Sequence, residues 1–346
     1  MKKSLFVLGV AVAALASCTQ SEVLEVAENR AIGFNTFVGN TTKALPSSVA
    51  KDNFRKFYVY GAAEKTTDTW TNFFTNVEVT GTSVGSGDEW TPAQVGYWTA
   101  TVNHNFGAYA NGTSALTDGT GVSFDAETVT LTFSNYQAGA NDLVAATAKG
   151  KTWDGTSEPS LVELSFKHML SKLRITFKTD DSYDYKYSVS GLKIENAVVT
   201  ASGSYVDGAV QAWTGAADET YTFDLEKLSD FAADGTADGD FYSELFVIPQ
   251  SNTNTLKALF TVTAEDKSGN KLGEKNFEAE LIYNAGSVSG TTANTWTAGY
   301  AYNYTATINL PQIVDDETKE IKFNVTAVED WTPANENGLT STEVNS

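Results

Sequence analysis

Apolar residues recur at every second position along much of this chain, and almost nowhere at the three-to-four spacing of a helix. Val129, Leu131 and Phe133 alternate with threonines and Ser134. Leu173, Ile175 and Phe177 alternate with Lys172, Arg174, Thr176 and Lys178. Tyr302, Tyr304, Ala306, Ile308 and Leu310 share one parity, as do Ile321, Phe323 and Val325. Period two describes a strand with one face in a core and the other in water. Clusters of Gly, Asp, Ser, Asn and Thr at 81–88, 111–121, 233–240 and 266–270 punctuate the strands as turns and loops. The chain is therefore expected to be all-β, and many short strands with polar turns point to β-sandwiches. A single cysteine allows no internal disulfide, so the fold must rest on its apolar core. At 346 residues the chain is long for one domain and comfortable for two. The polar stretch from Lys149 to Pro159 is the expected boundary, giving an N-terminal sandwich over 44–157 and a C-terminal sandwich with a tail over 158–346. No repeat of fixed period is visible.

The N-terminus has a different character. Lys2 and Lys3 precede an uncharged run, Ser4 to Ala14, and then Leu15-Ala16-Ser17-Cys18. A basic start, a short apolar core and small residues at a cut site describe a signal peptide over 1–17. The run is shorter than the ~20 residues a spanning helix needs, and no later segment reaches that length. Leu-Ala-Ser-Cys resembles the lipobox of a bacterial lipoprotein, which implies that Cys18 becomes the N-terminus and carries lipid. An unpaired thiol is a liability in an oxidising compartment, so a lone cysteine here makes sense as the lipidation site. Acyl chains contribute ~0.8 kcal/mol per buried CH₂, enough for several of them to hold a protein on a membrane. The expectation is a protein anchored to a membrane and not spanning it. Net charge is −20, and loss of Lys2 and Lys3 leaves 21 basic against 43 acidic residues. Such a surface repels phosphate backbones and disfavours nucleic acid as a partner.

Between residues 27 and 44 lies a short strand pattern. Ile32 and Phe34 alternate with Gly33 and Asn35, and Phe37 and Val38 follow. Two trypsin-like sites, Arg30 and Lys43, bracket it in polar surroundings. A strand between cuttable bonds can be a removable strand.

Landmarks across nearly the whole chain resemble the Bacteroidetes fimbrillin family, the pilins of type V pili. After the lipobox comes Ala31-Ile32-Gly33-Phe34; next are Tyr97-Trp98 and Phe106-Gly107-Ala108-Tyr109. The most specific stretch runs from Val162 to Leu173 (VELSFKHMLSKL). Leu245 to Gln250, Trp296, Gly299 to Tyr304 and Val328-Glu329-Asp330-Trp331 complete the series. The resemblance implies two transthyretin-like β-sandwich domains in tandem and export as a lipoprotein to the outer membrane and cell surface. It implies that a trypsin-like protease cuts after Lys43 and so removes the segment 18–43, with Ile32, Phe34, Phe37 and Val38; the alternative site for the cut is Arg30. The emptied groove would then accept a strand from another pilin subunit, so that polymerisation completes the fold and supports adhesion. Family members often carry arginine where Lys43 stands, which leaves the protease open. A donor strand needs alternating apolar side chains. Ile321, Phe323 and Val325 supply them, whereas the tail beyond Trp331 offers only Leu339 and Val344. Either Ile321 to Trp331 donates, or the chain is a tip or accessory subunit that accepts without donating.

The sequence carries little chemistry, and no enzyme activity or cofactor is expected from it. Gly81-Thr82-Ser83-Val84-Gly85 matches a nucleophile elbow, but loop residues follow where a helix is required. His168 shares the parity of Val162, Leu164 and Phe166 and reads as a core-edge histidine bonded to backbone; His104 reads as structural. Two histidines and one lipidated cysteine do not make a zinc site. Asp234, Asp238, Gly239 and Asp240 match part of a calcium loop, but Thr236 and Leu245 occupy ligand positions. Trp70, Trp90, Trp153 and Trp213 sit among Thr, Gly and Asp, where they either pin loops to the core or present faces to sugar. The alternative to a pilin is accordingly a monomeric anchored lipoprotein that binds glycan or a host ligand.

Overall fold

The computed structural model describes residues 30–38, 54–81, 90–179, 185–224, 242–251, 256–281, 290–315 and 321–330, with the backbone alone for residues 37–38 and 323–330. The described residues are all-β apart from one short helix. Strands β1 (Phe34–Val38), β2 (Lys56–Thr66), β3 (Thr69–Gly81), β4 (Trp90–Pro92) and β5 (His104–Asn111) come first. Next are β6 (Val122–Asp125), β7 (Thr130–Gln137), β8 (Leu143–Lys151), β9 (Val162–His168) and β10 (Ser171–Thr179). Then follow β11 (Tyr185–Ala197), β12 (Thr200–Val206), β13 (Ala209–Val210), β14 (Glu219–Thr222) and β15 (Tyr242–Val247). The last described elements are β16 (Lys257–Asp266), β17 (Lys271–Glu280), β18 (Tyr300–Ile308), helix α1 (Leu310–Val314) and β19 (Phe323–Asp330). Among these residues no helix is long and apolar enough to cross a membrane.

Seven strands close a barrel in the order β1-β4-β3-β2-β5-β8-β9. Three four-stranded sheets accompany it: β13-β12-β7-β6, β15-β10-β18-β19 and β14-β11-β16-β17. The stretch 149–159 joins β8 to β9 within the barrel, and β12 pairs with β7, so strands from both sides of that stretch share sheets.

Two apolar cores result. Ile32, Phe34, Phe57, Phe74, Phe106 and Phe166 fill the barrel. Tyr109, Phe133, Leu173, Tyr187, Phe260 and Trp296 belong to the second core. β2 and β5 serve both, because successive side chains point to opposite faces. Phe57, Val59, Phe106 and Ala108 point into the barrel, whereas Tyr58, Tyr60 and Tyr109 join the second core. Every residue of β5 is buried. The sheet carrying β6 and β7 approaches so closely that a Cβ at Gly107 would lie 2.6 Å from Phe124. Where both faces are covered the period-two signal vanishes, and β5 reads HNFGAYAN.

β10 departs from the alternation its sequence suggests. Lys172 is buried although it shares parity with the polar face. Its Nζ lies 3.1 Å from Glu244 Oε1, and the Nε of Arg174 lies 2.5 Å from the same oxygen. The antiparallel register sets Arg174 opposite Glu244. The Arg174 guanidinium also sits 3.9 Å from the centre of the Tyr242 ring. Burial pulls the Lys172 pKa down, and Glu244 opposes that shift.

His104 is fully buried beside Trp98 and Phe73. Its Nε2 accepts from the Thr99 N–H at 3.2 Å, which leaves Nδ1 to donate to the Val102 carbonyl at 2.9 Å. Burial, the largest influence, lowers its pKa below 6.5, and the ring is neutral in the folded protein.

These contacts set three expectations. Phe34→Ala empties the barrel core and should cost about 3–5 kcal/mol in denaturant unfolding. Glu244→Gln leaves Lys172 buried without its anion and should cost about 3–5 kcal/mol, part of which Lys172→Met in the same chain restores. His104 binds a proton more readily unfolded than folded. Its contribution is therefore complete above the unfolded value near 6.5 and declines as pH falls below it, by at most ~1.4 kcal/mol per pH unit. Unfolding titrations of His104→Gln should show a shallower acid limb than the parent; equal slopes would refute the assignment.

Candidate functional site

The region that matters most is the seat of β1. Residues Phe34 to Val38 (FNTFV) form a short strand that closes the barrel between β9 and β4. On one side the pairing is parallel and runs through five registered residues, Phe34↔Val162 to Val38↔Phe166. On the other it is antiparallel and consists of one pair, Phe34↔Trp90. Parallel neighbours cannot be joined by a tight turn, so β1 is delivered by chain that is remote in sequence from β9.

Phe34 anchors the strand. It is 1 % exposed and lies 5.8 Å from Phe57, 6.0 Å from Phe74 and 6.1 Å from Phe106, ring centre to ring centre. Two of these contacts are edge-to-face, the arrangement aromatic rings prefer. Ile32 is buried in the same core. Ahead of the strand the backbone is tied down residue by residue. The Trp98 N–H donates to the Arg30 carbonyl at 3.0 Å, and the Ile32 N–H donates to the Gly96 carbonyl at 2.9 Å. Ala31 bridges Tyr97, and the Val162 N–H donates to the Gly33 carbonyl at 2.9 Å.

Of the residues singled out from the sequence, Ile32 and Phe34 are thus brought together in one core. Phe37 and Val38 lie in β1 opposite Ser165 and Phe166. Arg30 stands at the foot of the strand, whereas Cys18 and Lys43 lie outside the described residues. Ile321 is buried, and Phe323 and Val325 belong to β19. Among the described residues that strand is the edge of its sheet, paired with β18 alone, from Tyr300↔Asp330 to Ala306↔Phe323.

His168 has a different partner from the backbone one expected of it. Its Nδ1 lies 2.6 Å from Oδ2 of Asp142, and both side chains are buried. The β8–β9 register creates this meeting, since Val144 pairs with His168. No local spacing connects residues 142 and 168, so the pair was invisible without that register.

The tryptophans mostly pin structure. Trp90 is buried beside Phe54 and Phe57. Trp153 packs on the barrel core and donates its ring N–H to the Ser157 carbonyl at 2.7 Å. Trp213 lies over Gly203, where a Cβ would come within 2.6 Å of the indole, and donates to the Met169 carbonyl at 3.0 Å. Trp70 is half-buried in β3. Trp213 also borders a cleft of about 790 Å³ with Lys167, Gln211, Pro249, Thr297 and Tyr300. Among the described residues no group of His, Cys, Asp and Glu could hold a metal ion.

Comparison with known proteins bears on most of the chain. The model of a family described as fimbrillin-like matches residues 42–331. No match is found among curated proteins. Among solved structures, a candidate cell adhesion protein from Bacteroides uniformis shares 19 % identity, with 87 % of this chain and 98 % of that one covered and a TM-score of 0.49. A candidate cell adhesion protein from Bacteroides ovatus shares 16 %, with 88 % and 99 % covered and a TM-score of 0.48. The fimbrial anchor protein Mfa2 from Porphyromonas gingivalis shares 13 %, with 88 % and 98 % covered and a TM-score of 0.34. These identities and scores are low, and the assignment rests on the family match, which spans most of the sequence: the chain belongs to the fimbrillin-like family.

Proposed function

We propose that this protein is a pilin-class subunit, exported as a lipoprotein through Cys18 and polymerised by strand exchange after a trypsin-like cut at Lys43. Its partners are then other pilin subunits, the outer membrane through the lipid, and the maturation protease. The role is structural and adhesive. The observation that carries this reading is the seat of β1: a barrel-closing strand with a parallel neighbour, placed near the N-terminus and joined to β2 by residues 39–55. Cutting after Lys43 severs the strand from the body. Cutting after Arg30 leaves it attached, and the Arg30 carbonyl is already engaged by Trp98. Loss of β1 would expose the backbone of β9 and the trough that holds Phe34, which an incoming strand can refill.

Burial of Phe34 explains why cleavage alone would not expel the strand. Fully burying such a side chain is worth ~1.5–3 kcal/mol, before the backbone bonds are counted. A competing strand must therefore displace β1. β19 supports a donor role for Ile321, Phe323 and Val325, because an edge strand gives up one neighbour and not two. The tandem-domain arrangement belongs to the same proposal and is supported by the presence of two apolar cores, which meet at β2 and β5. The cleft beside Trp213 supports a second reading, in which an anchored lipoprotein binds a glycan or host ligand there.

Limited trypsin treatment of residues 19–346, followed by mass spectrometry and size-exclusion chromatography, separates these readings. A cut at Lys43, an intact Arg30–Ala31 bond and a ladder of oligomers are expected. A cut product that stays monomeric with its strand bound, or no cut at Lys43, contradicts strand exchange.

A further inference from the structure

Five large apolar side chains are exposed among the described residues, and three of them gather around the foot of β1. Val95 is 55 % exposed, Tyr97 45 % and Leu161 56 %. The other two, Leu272 and Val314, lie apart from them, where α1 meets β17. The gathering follows from the hydrogen bonds that tie down the start of the strand. Ala31 bridges Tyr97 in antiparallel fashion, and the Ile32 N–H bonds to the carbonyl of Gly96. Alternation then sends Ile32, Gly96 and Trp98 inward, where all three are buried, and turns Ala31, Gly33, Val95 and Tyr97 outward. Leu161 completes the patch. Gly33 has no side chain, and a Cβ placed there would lie 2.6 Å from Leu161 Cδ2, so the leucine lies across bare backbone.

The charge around this patch differs from that of the chain at large. The chain carries −20, yet Arg30 to Gly33 and Ala93 to Thr99 contain no acid and one cation, Arg30. Glu158 and Glu163 are the nearest acids in sequence to Leu161. Two aliphatic side chains and a tyrosine, with Arg30 beside them and Glu163 at the rim on the same outward face as Leu161, suit the boundary between lipid headgroups and acyl chains.

Chain length indicates what lies opposite. Cys18 precedes Arg30 by only twelve residues. A chain of that length cannot span more than about 43 Å. A lipid on Cys18 would hold this end of the barrel near the bilayer and supply the membrane at high effective concentration. We infer that Val95, Tyr97 and Leu161 form a membrane-contacting patch that seats the barrel on the lipid surface while the Cys18 anchor is in place. The inference rests on the proposed lipidation of Cys18. Its consequence is an orientation: the foot of β1 faces the bilayer until the anchored segment is cut away.

Hydrogen exchange read by mass spectrometry tests the patch. The mature, acylated chain on phosphatidylethanolamine/phosphatidylcholine vesicles is compared with the unanchored Cys18→Ala protein. Peptides covering 93–98 and 160–163 should exchange several-fold more slowly on vesicles, whereas the β16–β17 turn at 266–270 should not change. The variant Val95→Ser/Tyr97→Ser/Leu161→Ser should stay anchored and lose the protection. Intact mass reports acylation separately. If acylation fails, the single thiol of Cys18 can be coupled to a maleimide lipid and the comparison repeated, so failure of the anchor and failure of the patch are distinguished. Equal exchange with and without the vesicle tether overturns the inference. So does protection that appears in the unanchored protein and grows with its concentration, which would assign the patch to a second copy of the chain.

Discussion

The barrel depends on a strand that the rest of the barrel does not supply. β2, β3, β5 and β8 are long strands with extended antiparallel pairing, but β9 is registered with β8 through only two residue pairs, β4 is only Trp90 to Pro92, and the circuit closes through β1. Nearly all of the hold on β1 comes from its parallel pairing with β9 and from Phe34 in its aromatic seat. Without β1 the neighbouring strand edge would be left with unpaired backbone groups and the core with an apolar trough. The strand is therefore a structural keystone, and in the proposed account the chain that attaches it to β2 is cut after Lys43. This combination, and not any cluster of reactive side chains, is what connects the fold to the proposed assembly mechanism.

Much of this was legible in the sequence because one-sided strands announce themselves. β9, with Val162, Leu164 and Phe166 inward and Glu163, Ser165 and Lys167 outward, alternates without a break. β1 was recognisable from Ile32 and Phe34. Two-sided strands were harder. In β2 and β5 the barrel core and the second core claim opposite faces of one strand, so the alternation that identifies a half-buried strand disappears. The polar interior was harder still. Lys172 has the parity of a solvated residue and is buried because β15 brings Glu244 beneath it. His168 meets Asp142 through the β8–β9 register. Each depends on pairings between distant segments, which local spacing does not encode. The tryptophans show the same limit: their neighbours in sequence are loop-like, but what they pack against was set elsewhere.

The foot of β1 concentrates three features in a small space. The Arg30 carbonyl is hydrogen-bonded to Trp98, Ile32 enters the barrel core, and the outward positions carry Val95, Tyr97 and Leu161. In the proposed account these features act in sequence. The tether and the patch hold the molecule at the membrane, the tied-down backbone keeps β1 in register, and the link toward β2, which contains Lys43, is where the protease acts. The opposite end of the chain is simpler. β19 covers one edge of its sheet, and its departure would open one new edge without breaching a barrel.

The central claim is that β1 must leave its seat before subunits join. A disulfide across the β1–β9 ladder tests it most directly. Asn35 and Glu163 are registered partners on the outer face, and neighbouring strands lie about 4.8 Å apart, within the range a disulfide spans. In residues 19–346, which lack Cys18, the pair Asn35→Cys/Glu163→Cys should form the bond. The account predicts that the oxidised protein, once cut at Lys43, stays monomeric, and that reduction releases oligomers. Oligomers forming equally well with the bond intact would contradict it.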